Sequence, residues 1–240
     1  MTDRPLPADT VGLLEGIATT RSIRLYRKEP IPEDVLRDML FAASRAPTGS
    51  NRQPARFIVL TDGERAARAK ALIGDAARDA WDSKRTNEGY DSGSGQDPSS
   101  PKARMARSMQ RYVDEIDQVP ALVLPCLIRH RAPTPTEGAS VYPACQNLLL
   151  AARGLGYGGV LTMWHTAVKA ELRELLDIPD DVSIAATITL GKPAGSHGPV
   201  RRVPLGEFVY DDCWGESAPW AIDPPGTRHT KAGPPKPSVL

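Results

Sequence analysis

Residues 47–54, Pro-Thr-Gly-Ser-Asn-Arg-Gln-Pro, constrain the fold more than any other stretch of this chain. Before them, Val35, Leu36, Met39, Leu40 and Ala43 recur at helical spacing behind Pro32, which suits a first helical turn. After them, Arg56-Phe57-Ile58-Val59-Leu60-Thr61 is a β-rich run. Pro47 stops the helix, Gly49 and Asn51 tolerate left-handed backbone, and Pro54 forces the chain extended again. Such a turn offers backbone N–H groups and small polar side chains to whatever lies above it.

The remaining pattern alternates helices and strands without an internal repeat. A short helix is expected over 9–19, an alanine-rich one over 64–81, and others over 102–116, 138–153 and 168–176. Strands are expected at 121–128, where Pro125 suggests an edge or a bulge, at 160–163, and as one core strand over 182–190. Residues 86–101 are polar and rich in Gly, Ser and Pro, a composition that favours a floppy loop over an ordered one. The sharper alternative is a mobile lid over a site. A domain over 1–214 and a proline-rich extension over 215–240 are expected, the latter crossing its own or a partner's surface.

Among 240 residues, 30 basic and 29 acidic side chains leave a formal charge of +1. That balance carries no electrostatic footprint for nucleic acid or an acidic membrane. The three cysteines, Cys126, Cys145 and Cys213, show no metal-ligand or disulfide spacing, so no metal site is expected and a reducing cytoplasm is the natural location. The apolar run around Pro120–Ile128 is far short of the ~18 residues that span a bilayer.

Gly154, Gly156 and Gly159 satisfy G-x-G-x-x-G, yet they end a helical pattern and lead into a strand. A dinucleotide fingerprint needs the reverse order, so a helix end with a tight turn is the better reading. His130, His165, His197 and His229 are scattered outside any nucleophile motif, and a satisfied or exposed ring is expected for each; Cys145 reads as a small core residue. Acid–base or nucleophilic catalysis therefore has little support, and chemistry carried by a cofactor fits better. Thr20-Arg21-Ser22-Ile23-Arg24 can hold a phosphate dianion, for which arginine's planar fork is well shaped. With the 47–54 turn able to hug a flat polar ring, the two together suggest flavin mononucleotide, FMN.

The order of Thr20–Arg24, a helix, Ala46–Pro54 and Phe57-Ile58-Val59 resembles the nitroreductase family of FMN-dependent oxidoreductases. So do the later Gly154-Leu155-Gly156 turn, Leu190-Gly191-Lys192-Pro193, and Arg201-Arg202, over about residues 12–210 in all. The resemblance implies an α+β fold, a mainly antiparallel central sheet flanked by helices, in an intertwined homodimer with FMN at the subunit interface. It assigns Arg21, Ser22 and Arg24 to the phosphate and ribityl chain, with Arg24 also near the pyrimidine edge, and Arg201 and Arg202 to the phosphate from the other side. Pro47, Thr48, Gly49 and Asn51 match the loop that reaches the partner's flavin. Leu161, Thr162 and Met163 match the strand end along the ring, where a backbone N–H near Met163-Trp164 would meet flavin N5.

Two departures stand out. Thr20 replaces an arginine of the usual motif, and Met163-Trp164 stands where some members carry Glu-Gly, so that Trp164 would narrow the substrate pocket. The activity implied is ping-pong: NADPH or NADH reduces the flavin, then a nitroaromatic or quinone takes the electrons, with no dedicated catalytic side chain. The alternatives are dehalogenation, dehydrogenation or flavin breakdown on the same fold, or a flavin-binding redox sensor without turnover.

Overall fold

A computed structural model describes residues 7–231 of the chain. It divides after His197 into a larger and a smaller unit. The expected 1–214 domain and 215–240 extension fall partly outside the described residues, at 1–6 and 232–240.

The larger unit begins with α1 (Leu13–Thr19) and α2 (Glu33–Ala43). Pro32 precedes α2, Glu33 and Asp34 occupy its first turn, and Leu36, Met39 and Ala43 form its buried stripe. Strand β1 (Ala55–Leu60) follows the 47–54 turn, then α3 (Glu64–Asn87), α4 (Pro101–Glu115), β2 (Ala121–Ile128), α5 (Tyr142–Gly154), β3 (Gly158–Thr162), α6 (Lys169–Leu175), β4 (Val182–Ile184) and β5 (Thr187–Gly191).

The strands form one sheet in the order β1-β2-β5-β3, with β4 also on β2, and every ladder is antiparallel. The α+β expectation therefore holds. Helices α3, α4 and α6 cover one face, packing on Leu60, Leu122, Leu124 and Val160. Helices α2 and α5 cover the other, packing on Ala121, Val123, Ile188 and Leu190. Alternation along β2 sends its side chains to both layers, which is why that strand reads as a continuous apolar run.

The single strand expected over 182–190 is in fact two. Cys126 pairs with Ile184 while Val123 pairs with Ile188, so the register slips by one residue and a bulge forms at 185–186. Pro125 explains it. Its carbonyl accepts from the Ala185 N–H at 2.8 Å, so its ring nitrogen, which has no hydrogen to donate, faces the same side. Pro125 thus sits at a bulge in a central strand, not at a sheet edge.

The polar stretch 86–101 is folded into turns that join α3 to α4. Gly89 and Gly93 take positive φ, Arg85 pairs with Asp91 at 2.9 Å, and Lys102 donates to the Glu88 carbonyl at 3.0 Å. Ser100 caps α4 by accepting from the Ala103 N–H at 3.0 Å. These local bonds, with the Tyr90 ring packed on Trp81 at 5.1 Å between centroids, supply the order.

The smaller unit contains α7 (Leu205–Phe208), whose Leu205 N–H donates to Asp223 at 2.9 Å. Arg202 bridges to His229, and the Tyr210 and Trp214 rings meet with centroids 5.0 Å apart. Among the described residues no helix is long and apolar enough to cross a membrane.

Candidate functional site

The Thr20–Arg24 segment leaves α1 where the Thr20 hydroxyl donates to the Gly16 carbonyl at 2.6 Å. Ile23 is buried and its N–H donates to the Gly159 carbonyl at 3.0 Å. Further on, Arg27 N–H donates to the Lys192 carbonyl at 2.8 Å. The segment is thereby tacked to the edge of β3, leaving Arg21 and Ser22 exposed and Arg24 half-buried.

Bare backbone makes this approach possible. A Cβ on Gly158 would lie 2.6 Å from Ile23 Cγ1, and one on Gly159 would lie 2.5 Å from the Thr189 carbonyl oxygen. Gly154 ends α5, and Gly156 takes φ +80° in the turn that follows. The G-x-G-x-x-G pattern therefore serves a helix end and tight turn, as expected from its order, and in addition close strand packing.

β3 is an outer strand of the sheet. Because the Gly159 carbonyl faces Ile23 rather than β5, the backbone groups of Leu161, two residues on, face the same open edge. From Gly159 to Met163 this edge runs about 13 Å. Exposed guanidinium and hydroxyl groups thus stand at one end and outward backbone donors at the other. That donor set fits a phosphate joined by a polyol to a flat heterocycle with hydrogen-bonding edges.

Met163 is the exposed side chain at the far end, whereas Trp164 is half-buried and its ring meets Tyr112 at 5.3 Å between centroids. Thr162 donates to the Thr187 carbonyl at 3.3 Å.

Beneath the edge runs a buried polar chain that sequence reasoning missed. The Tyr112 hydroxyl lies 2.7 Å from Thr189 Oγ1, the Tyr26 hydroxyl lies 2.9 Å from the same atom, and Tyr26 donates to the Ile23 carbonyl at 2.5 Å. Tyr112 to Thr189 to Tyr26 to Ile23 is one consistent direction of donation. Burial raises both phenols well above their ordinary range, while the nearby Arg24 charge works the other way. Both stay neutral and both are satisfied. Tyr26 lies two residues from Arg24, a hint the sequence did contain; Tyr112 is 77 residues from Thr189 and gave none.

His165 is buried, with Nδ1 3.1 Å from Thr187 Oγ1. Burial lowers its pKa, partly opposed by its bond to the Ile184 carbonyl, so the ring is neutral, and it is satisfied, one of the two states expected. Burial likewise pushes the Cys145 thiol up to about 12, which suits a core residue.

The 47–54 turn lies elsewhere. Ser50, Asn51 and Gln53 all have φ near +50° and Gly49 does not, so all three left-handed positions fall on non-glycine residues; left-handed backbone is expected at Asn51 and Gly49, and of the two only Asn51 adopts it. Each such residue is strained by on the order of 1 kcal/mol or more, a pattern typical of functional turns. Thr48 Oγ1 steadies the turn by accepting from the Gln53 N–H at 3.0 Å, and the Pro54 carbonyl accepts from Ile128 at 3.0 Å. Pro47 follows α2 and leads into it.

β1 and β3 are opposite outer strands of the sheet path. Ala55 pairs with Leu127 at one end of β2, while Gly159 pairs with Leu190, which pairs with Ala121 at the other. The Thr20–Arg24 segment and the 47–54 turn therefore stand at diagonal corners, roughly 25 Å apart from strand spacing and rise. The structure brings Thr20–Arg24 and Leu161–Met163 to one edge and leaves Pro47–Asn51 beside the outer strand on the opposite side of the sheet. Arg201 and Arg202 belong to the smaller unit, where both are exposed. No group of three or more potential metal ligands occurs among the described residues.

The sequence profile of the Nitroreductase family matches residues 17–192. An NADH dehydrogenase of Thermus thermophilus is 30% identical over 203 residues, covering 79% of this chain and 90% of that protein. A provisionally assigned nitroreductase of Desulfovibrio desulfuricans, solved in complex with FMN, is 25% identical with a TM-score of 0.61, covering 84% of this chain and 97% of that one. The NADPH:FMN oxidoreductase of Vibrio harveyi, solved with NAD+, shares the fold at 20% identity and a TM-score of 0.62, covering 85% of this chain and 78% of that one. With the profile spanning most of the chain and the same sheet and helical layers behind it, the protein belongs to the nitroreductase family of oxidoreductases.

Proposed function

We propose that this chain is an FMN-dependent oxidoreductase that takes hydride from NADPH or NADH and reduces an electron-poor acceptor, such as a nitroaromatic or quinone, by a ping-pong mechanism. The observation that carries this reading is the open edge of β3, with Arg21, Ser22 and Arg24 at one end and the outward backbone of Leu161 towards the other. When bound, FMN supplies the redox chemistry, accepting hydride and passing electrons to the acceptor.

The chain's own residues bind and orient. Arg21 and Ser22 give charge-assisted hydrogen bonds to the phosphate. Arg24, whose charge bears on the Tyr26 and Tyr112 hydroxyls, sets a positive field near the pyrimidine edge, where charge accumulates on reduction. Backbone N–H groups near Met163 meet the ring. Trp164, lying against Tyr112, narrows the acceptor pocket.

The placement of the clusters at opposite outer strands favours an intertwined homodimer, in which Pro47, Thr48, Gly49 and Asn51 of one protomer meet the β3 edge of its partner. The exposed apolar side chains Leu13, Leu14, Ile17 and Phe41 give a second copy a surface to cover. The test is reconstitution with FMN followed by sedimentation. A flavin-loaded dimer that loses FMN on substitution of either Arg21 or Asn51 supports the reading; a monomer that holds FMN as firmly contradicts the shared site. Arg201→Ala and Arg202→Ala belong in the same series.

A further inference from the structure

His197, the last residue of the larger unit, stands where β3 begins. Its Nε2 lies 3.0 Å from the Tyr157 carbonyl oxygen. A carbonyl only accepts, so the neutral ring carries its proton on Nε2 and leaves a lone pair on Nδ1. That Nδ1 is buried and has no hydrogen-bond partner. An orphaned buried acceptor costs free energy, and one beside a proposed ligand site asks for a function.

The surroundings of the ring specify one. A Cβ on Gly158 would lie 3.1 Å from the imidazole Cε1 and Nε2 as well as 2.6 Å from Ile23, so this glycine is what lets the ring lie beside the Thr20–Arg24 segment. Two guanidinium charges bear on it: Arg153 of α5, which donates to Thr19 Oγ1 at 3.2 and 3.3 Å, and Arg21. The turn between α5 and β3 contributes only the Tyr157 carbonyl. Burial is the main cause that holds the imidazole below its ordinary range, the Tyr157 bond opposes it, and the charges of Arg153 and Arg21 deepen it. Without an anion the ring is neutral and stands in the positive field of both arginines.

We propose that His197 is a phosphate-binding residue: when a phosphomonoester dianion settles against Arg21, Nδ1 takes up a proton from solvent and donates it in a hydrogen bond to a phosphate oxygen. The assignment rests on the FMN reading above and adds to it one residue and one proton. The dianion offsets the field of both arginines and gives the new N–H its acceptor, and both changes favour the imidazolium. Binding is then linked to protonation, and affinity falls by up to about tenfold for each pH unit of rise. The second ionisation of the phosphate itself works in the opposite direction, because binding the dianion releases a proton.

The test is calorimetric titration of FMN into flavin-free protein above neutral pH, in buffers of different ionisation enthalpy, with riboflavin as the probe lacking phosphate. Wild-type protein takes up protons with FMN and none with riboflavin, and His197→Gln, which keeps a donor for Tyr157 but cannot ionise, takes up none. FMN addition also raises the His197 titration midpoint of the wild-type protein, read by NMR, which needs no variant to fold. FMN binding without proton uptake, or with uptake undiminished in His197→Gln, overturns this assignment alone. Failure of wild-type protein to bind FMN overturns the cofactor reading and this one with it.

Discussion

Tyr112, on α4, and Thr189, on β5, share a buried hydrogen bond of 2.7 Å, and the Tyr26 hydroxyl meets the same threonine oxygen at 2.9 Å. One threonine thus fixes the phenol below Trp164 and the phenol that anchors the Arg24 segment. Thr189→Val leaves both hydroxyls without that partner and should cost about 2 kcal/mol, whereas Tyr112→Phe leaves Tyr26 satisfied and should cost about 1 kcal/mol. Urea unfolding of the two variants checks the order. A Thr189→Val protein as stable as wild type would remove the network from the stability of the fold.

Arg24 is half-buried and its charge acts on both phenols. Arg24→Ala should weaken FMN binding by about 1.5–3 kcal/mol, one to two decades in affinity. Flavin fluorescence on dilution reads this directly, and undiminished retention would take Arg24 out of the site.

Gly159 has room for no side chain, since its Cβ would sit 2.5 Å from the Thr189 carbonyl oxygen. Gly159→Ala should therefore lower stability by about 1–3 kcal/mol through overpacking. Gly156→Ala, at φ +80° but in open space, should cost only about 1 kcal/mol. Thermal melts distinguish this from a nucleotide-binding role, under which the variants would lose ligand affinity at unchanged stability.

His165 is buried neutral, with its pKa depressed below 6.5 by burial. As pH falls below that value the unfolded chain binds a proton that the folded chain refuses, so stability is intact above it and declines beneath it. The slope from this residue is at most about 1.4 kcal/mol per pH unit. His197 is depressed in the same direction and adds to the decline. Denaturation midpoints across this range should fall less steeply in His165→Gln than in wild type; parallel curves would contradict the assignment.

Most elements were legible because each carried its own local signal. Pro32, the 47–54 turn and the α2 stripe fixed a helix-turn-strand unit without long-range information, and the glycine run was correctly read from its order. What escaped depended on tertiary contacts. The bulge opposite Pro125 split a strand that looks continuous, and the turns over 86–101 are ordered by local polar bonds that composition does not reveal. The left-handed residues of the 47–54 turn are Ser50, Asn51 and Gln53, since the turn's geometry, not its glycine, sets which residues bend. For the site, the family pattern named Arg21–Arg24 and Leu161–Met163 and the sheet joins them on one edge. Tyr112, Thr189 and His197 meet that edge only through folding, and nothing in their sequence neighbourhoods marks them.

FMN held on the β3 edge should cycle between a nicotinamide donor and an electron-poor acceptor, and anaerobic absorbance titration of the FMN-loaded protein with NADPH, then NADH, reads this. The flavin band should bleach with one or both donors and return when a nitroaromatic is added. Bound flavin that neither donor bleaches, or a protein that stays colourless after incubation with FMN, would contradict this cycle.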